Sequence, residues 1–539
     1  MSQDETAAPT ETRRLPGWAW KVGAGLLALV AGAAAAVAHP PWSVWLGLLG
    51  YPLLMLLSER ARGWKGAFGL GWLAGFAYFF ISCWWVAEAF LVNAEAHAWM
   101  APFAASLLPA GLALFWAGAT ALYRRFTHAG VLRVLLFAGL FSVFEWLRGH
   151  ILTGFPWNPA GASWEAGSAP SQWAAWVGVY GLSLITVLAV STPAVFLGAG
   201  RLKAKFGVLA LGVVMLGALF VGGALRLGGG EVRLTDTVVR IVQPDVGQEA
   251  KWDAAMFENV VSRYVNLTSS LSGARPDVVI WPEGALPITA NDAFGSWVGE
   301  AIDRSIEPDQ TLVAGFSRAE AGPDGPRYFN SLFVMRDDGQ TLTVTGVYDK
   351  HRLVPFGEFL PAGGLMSATG LRSLVHVPSD FSHGPRPAPV DIPGAPRAQP
   401  LICYESLYPG FTSTEGGRPG WIVNISNDAW FGRTSGPLQH LNLASYRAIE
   451  TGLPMVRATP TGVSALIDPW GRVRARLDPG ESGVLDVRLP YATSRPPYSL
   501  YGDGLTTLLC MIVLLFGSSL SFRTIFSRDS LARSGQDSD

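Results

Sequence analysis

Long apolar stretches dominate the first 230 residues of the chain and limit its possible folds more than any other feature. A helix needs about 20 residues to cross the hydrocarbon core of a bilayer. Charged residues make up only 15 % of the chain, whereas soluble domains carry about 25 %. The sequence therefore predicts a membrane domain, residues 18–227. Its spans are predicted near 18–38, 42–57, 67–90, 99–123, 134–152, 171–199 and 206–227.

Basic residues predict how these spans are oriented, because Lys and Arg concentrate on the cytoplasmic side of a membrane. They occur at every second connection: the tail 1–17 and the loops near 58–66, 124–133 and 200–205. The connections between them, 91–98 and 153–170, contain none. This alternation predicts a cytoplasmic amino terminus and places the chain outside after the seventh span. A last span, 504–522, would return the basic tail 523–539 to the cytoplasm.

Residues 232–495 have the composition and pattern of a soluble domain. Apolar residues recur at helical spacing in 254–272, and a second helix is predicted at 437–451. Turn sequences at 337–339 and 468–471 predict hairpins. Strands are predicted at 238–243, 277–281, 311–316, 329–335, 343–348, 399–403, 420–425, 455–459 and 463–467. The alternation of strands and helices predicts a layered α/β or α+β domain, held at the outer face by spans on both flanks.

Three of the predicted strands end at residues suited to acyl transfer: Glu283, Lys350 and Cys403. An ordinary thiol has a pKa of about 8.5, so a nucleophilic cysteine needs a base or a cation nearby. A carboxylate supplies the base, and a lysine supplies a fixed charge for an oxyanion. Cys83 and Cys510 lie in apolar spans, so Cys403 is the only thiol of its domain and no disulfide framework is expected.

Each of these residues also has an ordinary structural interpretation. Cys403 fits a small buried core cysteine, Glu283 a solvated or helix-capping glutamate, and Lys350 a surface lysine. His351 and His440 lack metal-ligand spacing, and no Ser–His–Asp arrangement competes, so we expect no metal and no cofactor. The net charge of -1 gives no indication of nucleic-acid binding.

The order Glu, Lys, Cys, each after a β-type run, resembles the nitrilase superfamily of carbon–nitrogen hydrolases. With seven spans before the domain and one after it, the chain resembles one branch of that superfamily, the apolipoprotein N-acyltransferases of Gram-negative bacteria. The resemblance implies an αββα sandwich beside a multi-span helical domain. Further stretches that resemble the family are 153–157, 243–244, 251–253, 330–331, 353–358, 424–431 and 457–459. The sequence varies from the family pattern at 243–246, ahead of Trp252.

The resemblance implies acyl exchange through a thioester. Glu283 takes the proton of Cys403, whose thiolate attacks the sn-1 ester of a phospholipid, typically phosphatidylethanolamine. Lys350, with the backbone N–H of Tyr404, stabilises the oxyanion. The α-amine of a diacylglyceryl-cysteine lipoprotein then attacks the thioester. The implied setting is the bacterial inner membrane, with a monomeric enzyme whose catalytic domain is periplasmic and whose partners are phospholipid, lipoprotein and bilayer.

Supporting or substrate-binding roles are implied for Glu358, Tyr404, Glu405 and Trp252. Glu358 would orient Lys350 or assist proton transfer, and it fits a structural ion pair equally well. Trp252 and Tyr404 would touch lipid or shape the pocket, and both also fit simple packing.

Two further features of the sequence suggest contact with lipid. The apolar segment 359–378 fits either a mobile arm in the outer leaflet or a packed loop. Glu145 and Arg148 lie three residues apart in a predicted span, where they are able to pair on one helix face. Intramembrane charges are costly, and we expect a structural or headgroup role for this pair.

Two other functions remain open from the sequence. A membrane-tethered nitrilase-type amidohydrolase would use the same three residues with water as the acceptor, but it needs no multi-span base and no apolar arm. A transporter or scaffold with an outer domain would not need Cys403.

Overall fold

The structure is a computed structural model that describes residues 17–127, 130–271, 273–323, 325–361, 379–411 and 416–533, with side chains described as far as residue 518. Its first half is helical, and its second half contains two β-sheets. The helices of the first half are α1 (Gly17–Val37), α2 (Gly50–Arg60), α3 (Gly63–Cys83), α4 (Ala94–His97), α5 (Ala101–Phe126), α6 (Arg133–His150), α7 (Ala174–Ser191) and α8 (Leu202–Gly228).

Small residues allow the membrane helices to approach closely. A Cβ at Gly71 of α3 would lie 2.8 Å from the Trp116 carbonyl oxygen of α5, and one at Gly75 would lie 2.9 Å from the Ala113 Cα. Apolar helices in lipid gain little from hydrophobic burial and associate through this kind of contact. The pairing of α3 with α5 therefore depends on glycine at these two positions.

Five helical stretches among the described residues are long and apolar enough to cross a membrane. They are Trp18–Val37, Gly63–Phe90, Ala94–Phe126, Pro170–Leu197 and Leu202–Gly228. Helices also form at the two other predicted spans, but α2 has only 11 residues and α6 carries buried charges. Among the residues whose side chains are described, the final apolar helix is the shorter stretch Gly504–Ser518. The total of eight spans stays a prediction.

The second half folds as two sheets packed face to face. The six-stranded sheet has the order β11-β1-β2-β3-β4-β5, and the five-stranded sheet has the order β10-β9-β8-β7-β6. Neighbours β1 to β3 and β6 to β8 run parallel, and the remaining pairs are antiparallel. The strands are β1 (Leu234–Gln243), β2 (Val278–Ile280), β3 (Thr311–Gly322), β4 (Gly325–Asp337), β5 (Leu342–Asp349), β6 (Ala398–Ile402), β7 (Trp421–Ile425), β8 (Met455–Ala458), β9 (Ser464–Ile467), β10 (Val473–Leu477) and β11 (Gly483–Pro490).

Helices cover the outer faces of both sheets and complete an αββα sandwich. The parallel strands β2, β6 and β7 are buried along their whole length, as is expected of strands covered on both faces. The remaining helices are α9 (Gln248–Trp252), α10 (Phe257–Thr268), α11 (Ala290–Ala293), α12 (Trp297–Asp303), α13 (Gly436–Thr451), α14 (Pro497–Tyr501) and α15 (Gly504–Arg533). Helices α10 and α12 pack on the six-stranded sheet, and α13 packs on the five-stranded sheet.

Helix α13 also joins the sandwich to the membrane domain. Its Gln439 accepts a hydrogen bond from Trp157 Nε1 at 2.8 Å, and Tyr446 and Asn442 donate to carbonyls of the loop before α7. Glu450 accepts from the Val179 N–H of α7 at 3.0 Å. The two halves therefore share one buried polar interface.

Most predicted elements are found close to their expected positions, with two differences. The predicted helix 254–272 is reduced to a single turn followed by α10, because Ser269 already ends the helix. Strands β10 and β11 were not predicted. Strand β11 returns to the far edge of the six-stranded sheet beside β1, a long-range pairing that has no local signal.

Candidate active site

Cys403 stands at the end of a buried strand, in an unusual backbone conformation. Strand β6 ends at Ile402, and Cys403 opens a short 3₁₀ turn, Cys403–Leu407. Its φ of +49° lies in the left-handed region, which residues other than glycine rarely adopt. Such strain persists where the surroundings hold the residue in place, and it is concentrated at active sites.

A charged cluster of Glu283, Lys350, Glu358 and Asn330 is buried close to this turn. Lys350 is 1 % exposed, and its Nζ lies 2.9 Å from Glu283 Oε1 and 3.0 Å from Glu358 Oε2. A buried charge is tolerated only when it is paired, and here one lysine is paired with two carboxylates. Glu283 follows β2 and Lys350 follows β5, so separate strands of one sheet deliver the two groups.

Asn330 of β4 links the two carboxylates. Its Nδ2 donates to Glu283 Oε1 at 2.7 Å and to Glu358 Oε1 at 2.8 Å, and its carbonyl accepts from the Lys350 N–H at 2.8 Å. In the sequence, Asn330 stands out only as part of a matching motif and has no assigned role. Its three hydrogen bonds make it part of the charged cluster.

The charged cluster acts electrostatically on Cys403. Burial raises the pKa of the Cys403 thiol well above its usual range; the charge of Glu283 adds to this rise, and Lys350 opposes it. Although burial disfavours its charge, the carboxylates of Glu283 and Glu358 raise the pKa of Lys350. At neutral pH the site therefore holds a protonated thiol and a fixed ammonium.

Glu405 is fully buried and binds the backbone on both sides of the site. Its Oε1 accepts from Tyr348 OH and the His351 N–H at 2.8 Å, and from the Arg352 N–H at 3.1 Å. Its Oε2 accepts from the Ile402 N–H at 2.8 Å. Burial raises the pKa of Glu405 to about 7, and these donors oppose the rise. Glu405 thus ties the segment after Lys350 to the strand end that carries Cys403.

Tyr404 connects the turn that begins at Cys403 to the membrane domain through the loop 153–157. Its hydroxyl donates to the Gly154 carbonyl at 2.7 Å, and Arg352 Nη1 donates to the Thr153 carbonyl at 3.1 Å. The backbone N–H of Tyr404 lies at the start of a helical turn, where N–H groups have no partner within the helix. It is therefore placed as a potential oxyanion donor.

The loop 153–157 is held from the other side by Arg148. Arg148 Nη1 donates to the carbonyls of Phe155 and Trp157, and Glu145 accepts from the Ala160 N–H at 3.0 Å. The sequence predicts that Glu145 and Arg148 pair with each other, and this prediction is wrong. Each side chain instead binds the backbone of the loop that follows α6. These contacts fit a structural role for the two residues, and the expectation of a structural or headgroup role stays a prediction.

Trp252 lies at the margin of the site on α9, and it is 37 % exposed. The neighbouring Lys251 has its Nζ 5.4 Å from the centre of the Trp252 ring and donates to the Gly284 carbonyl. Burial lowers the pKa of Lys251 to about 8, and the charge of Glu283 opposes this fall. The predicted arm 359–378 falls outside the described residues from 362 onward.

A further buried group lies beside Cys403 and was not found from the sequence. It consists of Ser406, Asp428, His440 and Arg457. These residues come from four separate segments, so no spacing pattern in the sequence indicates their contact. Among the described residues, no group of three or more His, Cys, Asp or Glu side chains is placed to hold a metal ion.

Two family models match the chain in sequence order. One, described as the apolipoprotein N-acyltransferase N-terminal domain, matches residues 31–192. The other, described as carbon-nitrogen hydrolase, matches residues 239–496.

Relatives match over nearly the full length. An apolipoprotein N-acyltransferase of Caulobacter vibrioides is 50 % identical over 485 residues, which cover 88 % of this chain and 91 % of the relative. An apolipoprotein N-acyltransferase of Rhodopseudomonas palustris is 38 % identical over 522 residues, which cover 92 % of this chain and 96 % of the relative. A solved amidase of the nitrilase superfamily from Nesterenkonia is 18 % identical, with a TM-score of 0.32, and covers 52 % of this chain and 96 % of the amidase.

Proposed function

The chain belongs to the apolipoprotein N-acyltransferase family, and from this premise we propose which of its residues perform the reaction. The enzyme transfers a fatty acyl chain from the sn-1 position of a membrane phospholipid to the α-amino group of the N-terminal diacylglyceryl-cysteine of apolipoproteins. The acyl chain passes through a cysteine thioester. The observation that carries our assignment is the burial of Glu283, Lys350 and Cys403 after the ends of β2, β5 and β6.

In the first half-reaction, Glu283 accepts the proton of the Cys403 thiol as Sγ attacks the ester carbonyl carbon. The carbonyl oxygen becomes an oxyanion near Lys350 and the Tyr404 N–H, which stabilise it. When the tetrahedral intermediate collapses, the bond to the glycerol oxygen breaks and Glu283 returns its proton to that oxygen. Lysophospholipid leaves, and a thioester remains on Cys403.

In the second half-reaction, the free α-amine of the diacylated lipoprotein attacks the thioester carbonyl. Glu283 accepts a proton from the amine, and the carbon–sulfur bond breaks. The sulfur recovers a proton from Glu283, which regenerates the thiol. A general base contributes about 10²- to 10⁴-fold to such steps.

Glu358 explains how Lys350 remains in place while Glu283 changes its charge. When Glu283 is protonated, it loses its attraction for the ammonium, but Glu358 Oε2 still lies 3.0 Å from Lys350 Nζ. The Val354 N–H and Asn330 hold Glu358 in turn. Glu358 therefore keeps the cation fixed throughout the cycle, which is the condition for preorganised stabilisation.

The chain is a membrane protein, and we infer that its catalytic domain faces the periplasm from the inner membrane. The alternation of basic connections supports this orientation. Tyr404 and Arg352 hydrogen-bond the loop 153–157, and these contacts support a position of the Cys403 turn close to the membrane domain. A phospholipid in the outer leaflet of that membrane is then the nearest acyl donor.

The activity is tested with the full-length protein in detergent, a phospholipid carrying a labelled sn-1 chain, and a diacylated lipopeptide. We expect labelled triacylated peptide from the wild type and none from Cys403→Ala. Release of labelled free fatty acid with no labelled peptide would favour the amidohydrolase alternative. Peptide labelling that persists in Cys403→Ala would contradict the assignment of the nucleophile.

The orientation is tested with single cysteines in a protein whose Cys83, Cys403 and Cys510 are replaced by alanine, using a membrane-impermeant maleimide on intact cells whose outer membrane has been opened. Leu271→Cys replaces a fully exposed residue of the catalytic domain. Lys203→Cys, in a predicted cytoplasmic loop, is the matched control. We expect labelling at 271 in intact cells and at 203 only after lysis. The reverse pattern would contradict the orientation.

A further inference from the structure

The backbone carbonyl of Cys403 is the meeting point of two buried side chains that the proposed reaction does not use. Ser406 Oγ donates to this carbonyl oxygen at 2.8 Å, and His440 Nε2 lies 3.3 Å from it. Ser406 Oγ and His440 Nε2 are themselves 3.1 Å apart. A residue with a φ of +49° needs its backbone held, and these contacts are made directly to that backbone.

The contacts continue away from the cysteine to a buried ion pair. His440 Nδ1 lies 2.9 Å from Asp428 Oδ1, and Arg457 Nη2 donates to both Asp428 oxygens at 2.8 and 2.9 Å. Each of these residues and Ser406 is at most 1 % exposed. Arg457 also binds Ser426 Oγ at 2.9 Å, and the backbone N–H of the next residue, Asn427, partly opposes the rise in the pKa of the Cys403 thiol.

Ser406, His440 and Asp428 have the connectivity of a catalytic triad, but they are not placed to act as one. A triad serine presents its hydroxyl to the substrate, whereas Ser406 is fully buried with its hydroxyl against the Cys403 carbonyl. The rings of Trp157 and Phe431 enclose His440, with centroids 5.9 and 5.6 Å away. The network therefore faces the protein, not an acyl donor.

The charges of the network suit a static support. Although burial opposes ionisation, Arg457 and His440 hold the pKa of Asp428 below its usual range. Burial and the nearby charge of Arg457 lower the pKa of His440, and Asp428 opposes this fall. The groups thus remain a carboxylate, a guanidinium and a neutral imidazole across the neutral range, so the hydrogen-bond pattern is constant while Glu283 cycles.

We propose that Ser406, His440 and Asp428 are positioning residues that hold the Cys403 carbonyl, and thereby keep Sγ presented to Glu283 and Lys350. Ser406 makes the direct hydrogen bond. Asp428 fixes the orientation of the His440 ring, and Arg457 fixes Asp428. The inference rests on the proposed function of Cys403 and deepens it, because it states what keeps the nucleophile in its strained conformation.

The test compares Ser406→Ala with Ser445→Ala in the full-length protein. Ser445 is an equally buried serine on α13 whose Oγ donates to the Leu441 carbonyl at 2.8 Å, so its replacement also removes one buried hydrogen bond. Pre-steady-state formation of the Cys403 thioester gives two quantities. The burst amplitude counts competent molecules, and the burst rate constant reports how well the thiol is placed.

We expect Ser406→Ala to keep its amplitude and to lose about tenfold in burst rate constant, the effect of one buried hydrogen bond. The KM for phospholipid should not change, because Ser406 touches no substrate. Ser445→Ala should match the wild type in both quantities. Ser406→Thr, which retains the hydroxyl, should recover most of the burst rate constant. If Ser406→Ala does not fold, Asp428→Asn takes its place, and we expect it to lower the burst rate constant as well.

A reduced amplitude with an unchanged rate constant in both Ser406→Ala and Asp428→Asn would overturn the proposal, since that pattern indicates a purely structural role.

A second measurement separates this failure from failure of the proposed function. Alkylation of Cys403 by iodoacetamide needs no acyl donor, and its pH midpoint depends on the position of the thiol relative to Glu283, Lys350 and Asp428. A midpoint shifted in Ser406→Ala but not in Ser445→Ala supports positioning, and equal midpoints contradict it. Wild-type protein that is alkylated but never acylated contradicts the proposed function alone.

Discussion

Glu283 and Glu405 are two buried carboxylates near Cys403, and the structure holds them in opposite ways. Glu283 binds side chains, the ammonium of Lys350 and the amide of Asn330. Glu405 mainly binds backbone, with three N–H groups and only one side-chain donor, Tyr348. The first arrangement allows a proton to be exchanged while a cation stays fixed. The second arrangement holds the chain that carries the nucleophile.

The difference indicates that burial alone does not identify a catalytic carboxylate. What a buried acid binds decides its role, because a backbone donor cannot change its charge during a reaction. Glu283 should therefore affect chemistry without affecting stability, and Glu405 should affect both. Replacing each acid by its amide tests this contrast, since the change preserves size and removes the charge.

The largest effect is expected for Glu283→Gln, which removes the general base. Acyl transfer should fall by about 10²- to 10⁴-fold, with little change in the thermal midpoint. Because the charge of Glu283 raises the pKa of Cys403, iodoacetamide should alkylate the variant faster than the wild type at pH 8. Slower alkylation would indicate that Glu283 already holds the thiol proton in the resting enzyme, contrary to our account.

Lys350→Met should cost about 10²- to 10³-fold in acyl transfer, the usual effect of losing one oxyanion-stabilising group. It also leaves the side chains of Glu283 and Glu358 buried without their cation. Lys350→Arg keeps the charge and serves as the matched control. Equal activity of the methionine variant and the wild type would exclude Lys350 from the site.

Glu405→Gln should reduce acyl transfer by about 10- to 100-fold and, unlike Glu283→Gln, lower the thermal midpoint. The new amide N–H₂ meets the Ile402 N–H, and leaving a buried donor unpaired costs about 1–3 kcal/mol. A variant with wild-type stability and a large loss of turnover would place Glu405 with the reacting groups instead.

The same variant makes a prediction about pH. The native pKa of Glu405, about 7, exceeds its ordinary value of 4.5, so between these values the folded protein binds more protons than the unfolded chain. Stability contributed by this group therefore falls as the pH rises through that window. The thermal midpoint of the wild type, relative to that of Glu405→Gln, should fall between about pH 4.5 and 7. A difference that is flat or rises would contradict the elevated pKa.

The smallest effect is expected for Glu358→Gln, about tenfold in acyl transfer. The amide oxygen can still accept from Lys350, but the negative charge that holds the cation while Glu283 is protonated is lost. Glu300→Gln, the same change at an exposed surface pair with Arg304, is the control and should match the wild type. A loss as large as that of Glu283→Gln would assign Glu358 a direct role in proton transfer.

The sequence predicted the parts of the site that depend on local pattern. Glu283, Lys350 and Cys403 each follow an apolar run. Their strands β2, β5 and β6 are not adjacent, and the packing of the two sheets brings the strand ends together. Asn330 lies within a strand, so its role was not visible. Ser406 and His440 were missed because they are separated by 34 residues and meet only through the packing of α13 on the five-stranded sheet.

The most direct test of the central claim follows the fate of one acyl group. The wild-type enzyme is loaded with phospholipid, separated from free lipid, and mixed with diacylated lipopeptide while intact mass spectra are recorded. We predict an acyl adduct on Cys403 that disappears at the same rate as triacylated peptide appears. Peptide acylation while the adduct on Cys403 persists would contradict a thioester intermediate at this residue.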